Sequence, residues 1–173
     1  MGDSAPWIAA ITGGTAVLAG WVTGRHTARA AEYQADTNAR VRRDEERRTA
    51  RRAAYASLVE HTHALGGLYG ETRVAMLLHD PTARAEALSE LLARQRATYH
   101  QHFLPALRTV SLEGPDDVAA AAEAVQLAST RTYKTVGEIT LGSAGADAFD
   151  PVTFAFWDRV DDFVLAGRRA LEA

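Results

Sequence analysis

Between Asp3 and Arg25 the chain carries no charged side chain, and residues 5–24 read APWIAAITGGTAVLAGWVTG. A helix rises about 1.5 Å per residue, so about 20 uncharged residues just cross a bilayer core roughly 30 Å thick. This run constrains everything after it. A cleavable signal peptide needs a positive n-region, a shorter apolar stretch and a small-residue cleavage site. Here only the amino terminus and Asp3 precede the run, and Arg25 follows it directly. A buried soluble helix remains as an alternative, against which the apolar length speaks. We therefore expect a retained transmembrane helix within residues 1–24. Arg25, Arg29, Arg40, Arg42 and Arg43 all lie downstream of it. By the positive-inside rule this puts the N-terminus outside and the rest of the chain in the cytoplasm, at the plasma membrane. Trp7 and Trp21 sit near the two ends, where indole rings prefer the interface, and with Arg25 and Arg29 they complete the anchor.

Within the span, Thr12, Ala16, Gly20 and Gly24 recur every four residues, and the last two form a G-x-x-x-G. Small residues on one face let two backbones approach closely in lipid, so this face admits a homodimer. Glycine and alanine are also common in membrane helices generally, and Gly24 lies at the interface, where the motif is weaker.

Residues 25–52 contain no proline and no glycine, with nine arginines against five acids. From residue 53 onward ten basic residues face sixteen acids, so the positive charge lies beside the expected membrane. Asp36–Arg40, Arg40–Asp44, Asp44–Arg48 and Arg42–Glu46 are all spaced i,i+4, each such pair contributing a few tenths of a kcal/mol to a helix. Only Tyr33, Val41 and scattered alanines are apolar, too few for a coiled-coil seam. The segment reads as a solvated helical stalk of about 28 residues, roughly 40 Å long. Nucleic acid is a poor partner for it, because Asp44, Glu45 and Glu46 interrupt the arginines. The lipid bilayer is the better one, reached by Arg25 and Arg29 within a Debye length of about 8 Å.

Apolar residues at helical spacing begin at residue 53. Tyr55, Leu58, Thr62, Leu65, Tyr69 and Met76 form one stripe, which Gly66, Gly67 and Gly70 interrupt. A kink or a close helix crossing is expected there, the crossing being favoured because Gly66 and Gly70 share a face. Asp80-Pro81 ends the helix. A second helix over 82–110 turns Leu88, Leu91, Leu92, Gln95, Tyr99, Phe103 and Leu107 inward, with a kink at Pro105. A third, over 116–139, aligns Val118, Ala122, Val125, Ala128, Thr132 and Val136 after the Glu113-Gly114-Pro115 turn. The loop GSAGADAFD at 142–150 leads to a fourth helix with Phe156, Trp157, Val160, Phe163, Val164 and Leu171 inward. No alternating run of strand length occurs. The expected chain is all-α: a transmembrane helix (1–24), a stalk (25–52) and an antiparallel four-helix bundle (53–173) in the cytoplasm.

The histidines are the most suggestive side chains for chemistry. His61 and His63 precede the Asp80-Pro81 turn by about as many residues as His100 and His102 follow it, so a hairpin places the two pairs at similar height. Residues two apart on a helix point roughly 200° from one another, which leaves His61 and His102 as the ones that face each other. They are candidates for a zinc site, but no H-E-x-x-H or paired Glu-x-x-His supports them, and surface imidazoles are the better reading. The chain has no cysteine, which removes disulfides, thiolate metal sites and cysteine nucleophiles. It also has no G-x-S-x-G, P-loop or dinucleotide fingerprint. Asp158, Asp161 and Asp162, with Asp116 and Asp117, read as a solvated acidic face. No catalytic residue, metal or cofactor is expected.

The order of a short span, an Arg-rich helix, the string Arg51-Arg52-Ala53-Ala54-Tyr55-Ala56, and Val110-Ser111-Leu112-Glu113-Gly114-Pro115-Asp116-Asp117-Val118 opening an Ala-rich helix resembles actinobacterial-type single-span membrane proteins. That resemblance implies one span and a cytoplasmic helical domain, and it carries over no catalytic residues. The expected function is a non-enzymatic interaction or scaffold protein with a protein partner. The alternatives are a ligand- or metal-binding effector or enzyme around His61 and His102, and a membrane accessory protein of a phage, plasmid or defence system.

Overall fold

The computed structural model describes the backbone of residues 5–172 and the side chains of residues 33–172. Its elements are α1 (Ala5–Met76), α2 (Pro81–Thr98), a π-helical turn (Tyr99–Phe103), α3 (Leu104–Glu113), α4 (Asp116–Thr140), a 3-10 turn (Ala146–Ala148) and α5 (Phe149–Glu172). The chain is all-α as expected, with no strand among the described residues. No helix there is long and apolar enough to cross a membrane. The side chains of the expected anchor, Trp7, Trp21, Arg25 and Arg29, and of the dimer face, Thr12, Ala16, Gly20 and Gly24, lie outside the described residues.

Two compact units divide the chain, Met1–Glu46 and Arg47–Ala173. In the first, α1 is solvated over residues 33–46: Tyr33 and Val41 are exposed, and Arg42 pairs with Glu46 at 3.8 Å across one turn.

The second unit is bundle-like. Burial at three- and four-residue spacing makes the α1 stripe its first wall, with Tyr55, Leu58, Thr62, Leu65, Tyr69 and Thr72 all buried. Contacts fix the helix directions. Arg51 bonds Glu113, His61 stacks on His102 and Arg94 pairs with Glu71, so α1 runs antiparallel to α2 and α3. Tyr55 meets Phe163 and Arg73 meets Asp150, so α5 is antiparallel to α1 as well. Phe103, Val110, Val118, Val125, Phe149, Phe156 and Phe163 fill the space between them. Phe156 and Phe163 of α5 share one buried cluster with Val118, Ala122 and Val125 of α4, and Phe156 stands edge-on to Tyr69 at 5.1 Å.

Three local features differ from or sharpen the expectation. First, α1 runs unbroken past its glycines, and only Gly66 serves a close crossing: a Cβ there would fall on the indole of Trp157, whereas Gly67 and Gly70 have open space. Second, the expected single helix over 82–110 is divided. Pro105 has no N–H to donate to Gln101 and its ring needs room, so the preceding turn widens and the Leu104 N–H bonds back to Tyr99, five residues earlier. Third, Gly142 takes φ +74 after α4, and the bonds from Gly142 to Ile139 and Ser143 to Glu138 make a Schellman ending. The loop beyond it contains the 3-10 turn, and α5 begins at Phe149.

Candidate binding cavity

Helical spacing on three elements converges on one cavity of about 370 Å³. Leu65 and Tyr69 come from α1, one turn apart. Gln95 with Tyr99, and Arg96 with His100, are two further i,i+4 pairs on α2 and the π-turn. Ser129, Thr130 and Tyr133 come from α4. Three phenol rings and a leucine make most of the exposed lining apolar, Gln95, Arg96, His100, Ser129 and Thr130 add polar groups, and no carboxylate lines the space. Ligand sites commonly have this character, an apolar lining with a small number of placed polar groups, at volumes of about 300 Å³ and more.

The hydrogen bonds show which polar groups are already used. Tyr69 and Ser129 share a hydroxyl–hydroxyl bond of 2.9 Å. Burial pushes the Tyr69 phenol up to about 12, against the opposing bond to Ser129 and with a small addition from Tyr99. Tyr69 is therefore neutral at physiological pH and cannot serve as a base toward Ser129. Gln126 donates to the Tyr99 hydroxyl at 3.0 Å. Thr72 donates its hydroxyl proton to the Leu68 carbonyl at 2.8 Å, so its oxygen must accept from Gln95 Nε2, also at 2.8 Å. This assigns the amide orientation of Gln95 and leaves Oε1 buried with no partner. An unpaired buried acceptor costs about 1–3 kcal/mol, and this one belongs to a residue that borders a cavity.

At the rim, Arg96 is exposed and forms no ion pair among the described residues. Two residues earlier, Arg94 is held by both carboxylate oxygens of Glu71, at 2.6 and 3.3 Å. The two arginines therefore differ in what they offer to solvent. A second cavity, of about 360 Å³, lies against Met76, Pro81, Arg84, Leu88 and Ile139, and among the described residues no lining side chain carries a buried polar atom without a partner.

The histidines meet as the hairpin register implied. His61 and His102 stack with ring centroids 5.4 Å apart, while His63 packs on Trp157 at 5.3 Å and His100 stands edge-on to Tyr99. No group of three or more His, Asp or Glu side chains converges on a cation position among the described residues. On the acidic face, Asp162 pairs with Arg159 at 2.8 Å. Reasoning from sequence turned Leu65, Tyr69, Gln95 and Tyr99 inward but left Arg96, Ser129, Thr130 and Tyr133 unremarked. The available signal was Gln95, an amide on an otherwise apolar stripe. No protein-family model, curated protein or solved structure matches the chain.

Proposed function

We propose that the protein is a membrane-anchored, non-enzymatic binding module of the actinobacterial single-span type resembled by its sequence. Residues 5–24 cross the plasma membrane with the N-terminus outside, and the helical bundle works in the cytoplasm as a four-helix interaction domain. The observation that carries the binding reading is the cavity between α1, α2 and α4, lined by Leu65, Tyr69, Gln95, Tyr99 and Tyr133. Tyr69 and Ser129 bond each other, Tyr99 accepts from Gln126 and Thr130 donates to the Gln126 carbonyl, so these hydroxyls are paired with neutral groups rather than with a base, which suits holding a molecule better than transforming it. The anchor rests on the uncharged run and the arginine excess behind it. A second copy on the Thr12, Ala16, Gly20, Gly24 face and a cytoplasmic protein partner complete the reading.

Topology and binding are tested separately. A reporter fused after Ala173 should be active in the cytoplasm, and activity outside would refute the orientation. An affinity pull-down from native membranes with the span intact should recover a defined partner or a dimer. Recovery of bare monomer alone would refute the interaction role.

A further inference from the structure

We propose that the outer surface between α1 and α5 docks a basic amphipathic helix of another protein. The inference deepens the interaction role above, rests on it, and names the face that carries it. Gly66 lies against Trp157 and Arg73 pairs with Asp150, which fixes the register of these antiparallel helices. Gly70 is therefore level with residues 153 and 154. A helix turns about 100° per residue, so Gly70, Val74 and Gly67 follow Gly66 by about 40°, 80° and 100° around α1. Asp161, Phe154 and Leu165 follow Trp157 by about 40°, 60° and 80° around α5. Since the two helices run in opposite directions, the same sense of rotation brings both sets to one side of their contact. Gly67 and Gly70 are exposed, and a Cβ at either meets nothing within 4 Å. They serve no close crossing inside the chain, although glycine within a helix is destabilising relative to alanine. Val74 and Phe154 on the same side are 66% and 64% exposed. Bare backbone flanked by apolar side chains is a surface on which an amphipathic helix lays its apolar face.

Charge on this side selects the occupant. Asp158 and Asp161 are exposed and form no ion pair among the described residues, and Glu60, about 120° round α1 from Gly66, adds a third exposed carboxylate. The nearby cations are already held: Arg73 pairs with Asp150, and Arg159 with Asp162. Gly167 packs on Tyr55, so Arg168 and Arg52 stand at or beyond that level, roughly 20 Å along α1 from the glycines and past a Debye length of about 8 Å. A second copy does not match this charge. A two-fold contact through the face sets the same acids against each other. The Arg-rich segment of another copy has only Tyr33 and Val41 as large apolar side chains, too few to cover Val74 and Phe154. The complement is a helix of a different protein, with Lys or Arg flanking an apolar stripe.

The test uses the full chain in its native membranes, with Val74 replaced by the photo-crosslinking residue benzoylphenylalanine. Leu127 on α4, also exposed, is replaced in the same way as the control. Illumination should give an adduct from position 74, and mass spectrometry should place the crosslink in a segment with net positive charge and apolar residues at helical spacing. Gly70→Leu fills the bare backbone, and Asp158→Lys with Asp161→Lys reverses the charge. Each should cut that adduct about tenfold or more. Thermal melting separates loss of docking from loss of fold, since position 70 has open space and both aspartates are exposed. A crosslink to a second copy of this chain or to an acidic segment, an adduct from position 127 alone, or an adduct at position 74 that either folded variant leaves intact overturns the docking face while the interaction role stands. No adduct from either position overturns both.

Discussion

Gly66, Gly67 and Gly70 lie within five residues of one helix, yet the structure assigns them opposite responses to the same substitution. A Cβ at Gly66 would fall on Cζ2 of Trp157 and 2.5 Å from its Cη2, whereas at Gly67 and Gly70 it meets nothing within 4 Å. Replacing a helical glycine by alanine in open space stabilises by about 0.5–1 kcal/mol, because alanine loses less backbone freedom on folding. At Gly66 that gain meets an overpacking penalty of about 1–3 kcal/mol. The penalty should fall in the upper part of that range, since the indole is rigid and is held between His63 and Phe156, each with its ring centroid 5.3 Å away. Gly66→Ala should therefore lose about 1–2 kcal/mol while Gly67→Ala and Gly70→Ala each gain, a spread of about 1.5–3 kcal/mol. Urea unfolding of a fragment covering residues 47–173, followed by far-ultraviolet circular dichroism, reads this directly. In a Trp157→Phe background the clashing atoms are gone, and Gly66→Ala should become neutral or favourable. Stabilisation by Gly66→Ala equal to that by Gly67→Ala, or an undiminished penalty beside Phe, would refute the crossing.

Other outcomes follow from the same packing. Phe156→Ala, at a fully buried ring edge-on to Tyr69, should cost about 3–5 kcal/mol in the same urea assay, and a loss below about 1 kcal/mol would contradict its place in the core. The two buried phenols should respond in opposite directions. The Tyr55 hydroxyl is buried without a partner, so Tyr55→Phe should be neutral or stabilising by up to about 1 kcal/mol. Tyr69→Phe should cost about 0.5–1.5 kcal/mol through its lost bond to Ser129. Alkaline titration should expose Tyr69 again, because its phenol is raised from 10.0 to about 12 in the folded chain. The unfolded chain gives up that proton first, so the contribution is complete below about pH 10 and is lost as pH rises toward 12. Its size is about 2–3 kcal/mol, and Tyr69→Phe should flatten that limb of stability against pH.

Much of the bundle was legible because burial at three- and four-residue spacing leaves a pattern within each helix. The stripes through Leu58 and Tyr69, Leu88 and Leu91, Val118 and Val125, and Phe156 and Phe163 are buried where the spacing put them. The hairpin register was legible as well, and it paired His61 with His102. What the spacing did not carry were relations among several helices. Pro105 signals a kink, but whether the extra length is absorbed upstream as a π-turn depends on the packing of Tyr99 and Phe103 against their neighbours. Gly66 and Gly70 share a face on paper, yet Trp157 reaches only the first. The cavity is a further step removed. Its lining comes from Leu65 and Tyr69 of α1, Gln95 to His100, and Ser129 to Tyr133 of α4, and no single helix reveals a space that three helices leave.

Gln95 is where stability and site part company. Apart from the unpartnered Tyr55 hydroxyl, several buried polar groups of the bundle are consumed locally: Thr62 and Thr72 bond the carbonyl four residues back, Ser129 bonds Tyr69, and Thr132 bonds the carbonyls of Ala128 and Val152. Each satisfies the core without needing anything from outside it. Gln95 is also buried, but it spends only its amino group, on Thr72, and keeps an acceptor idle. A leucine at this position would continue the stripe of Leu88, Leu91 and Leu92 and remove a cost of about 1–3 kcal/mol. Departures of this kind from the rules of a well-satisfied core concentrate at functional positions. Gln95 is a lining residue of the cavity, one turn before the π-turn and beside an arginine without an ion-pair partner among the described residues. A widened turn, an idle buried acceptor and an available cation thus follow one another within a few residues of this helix.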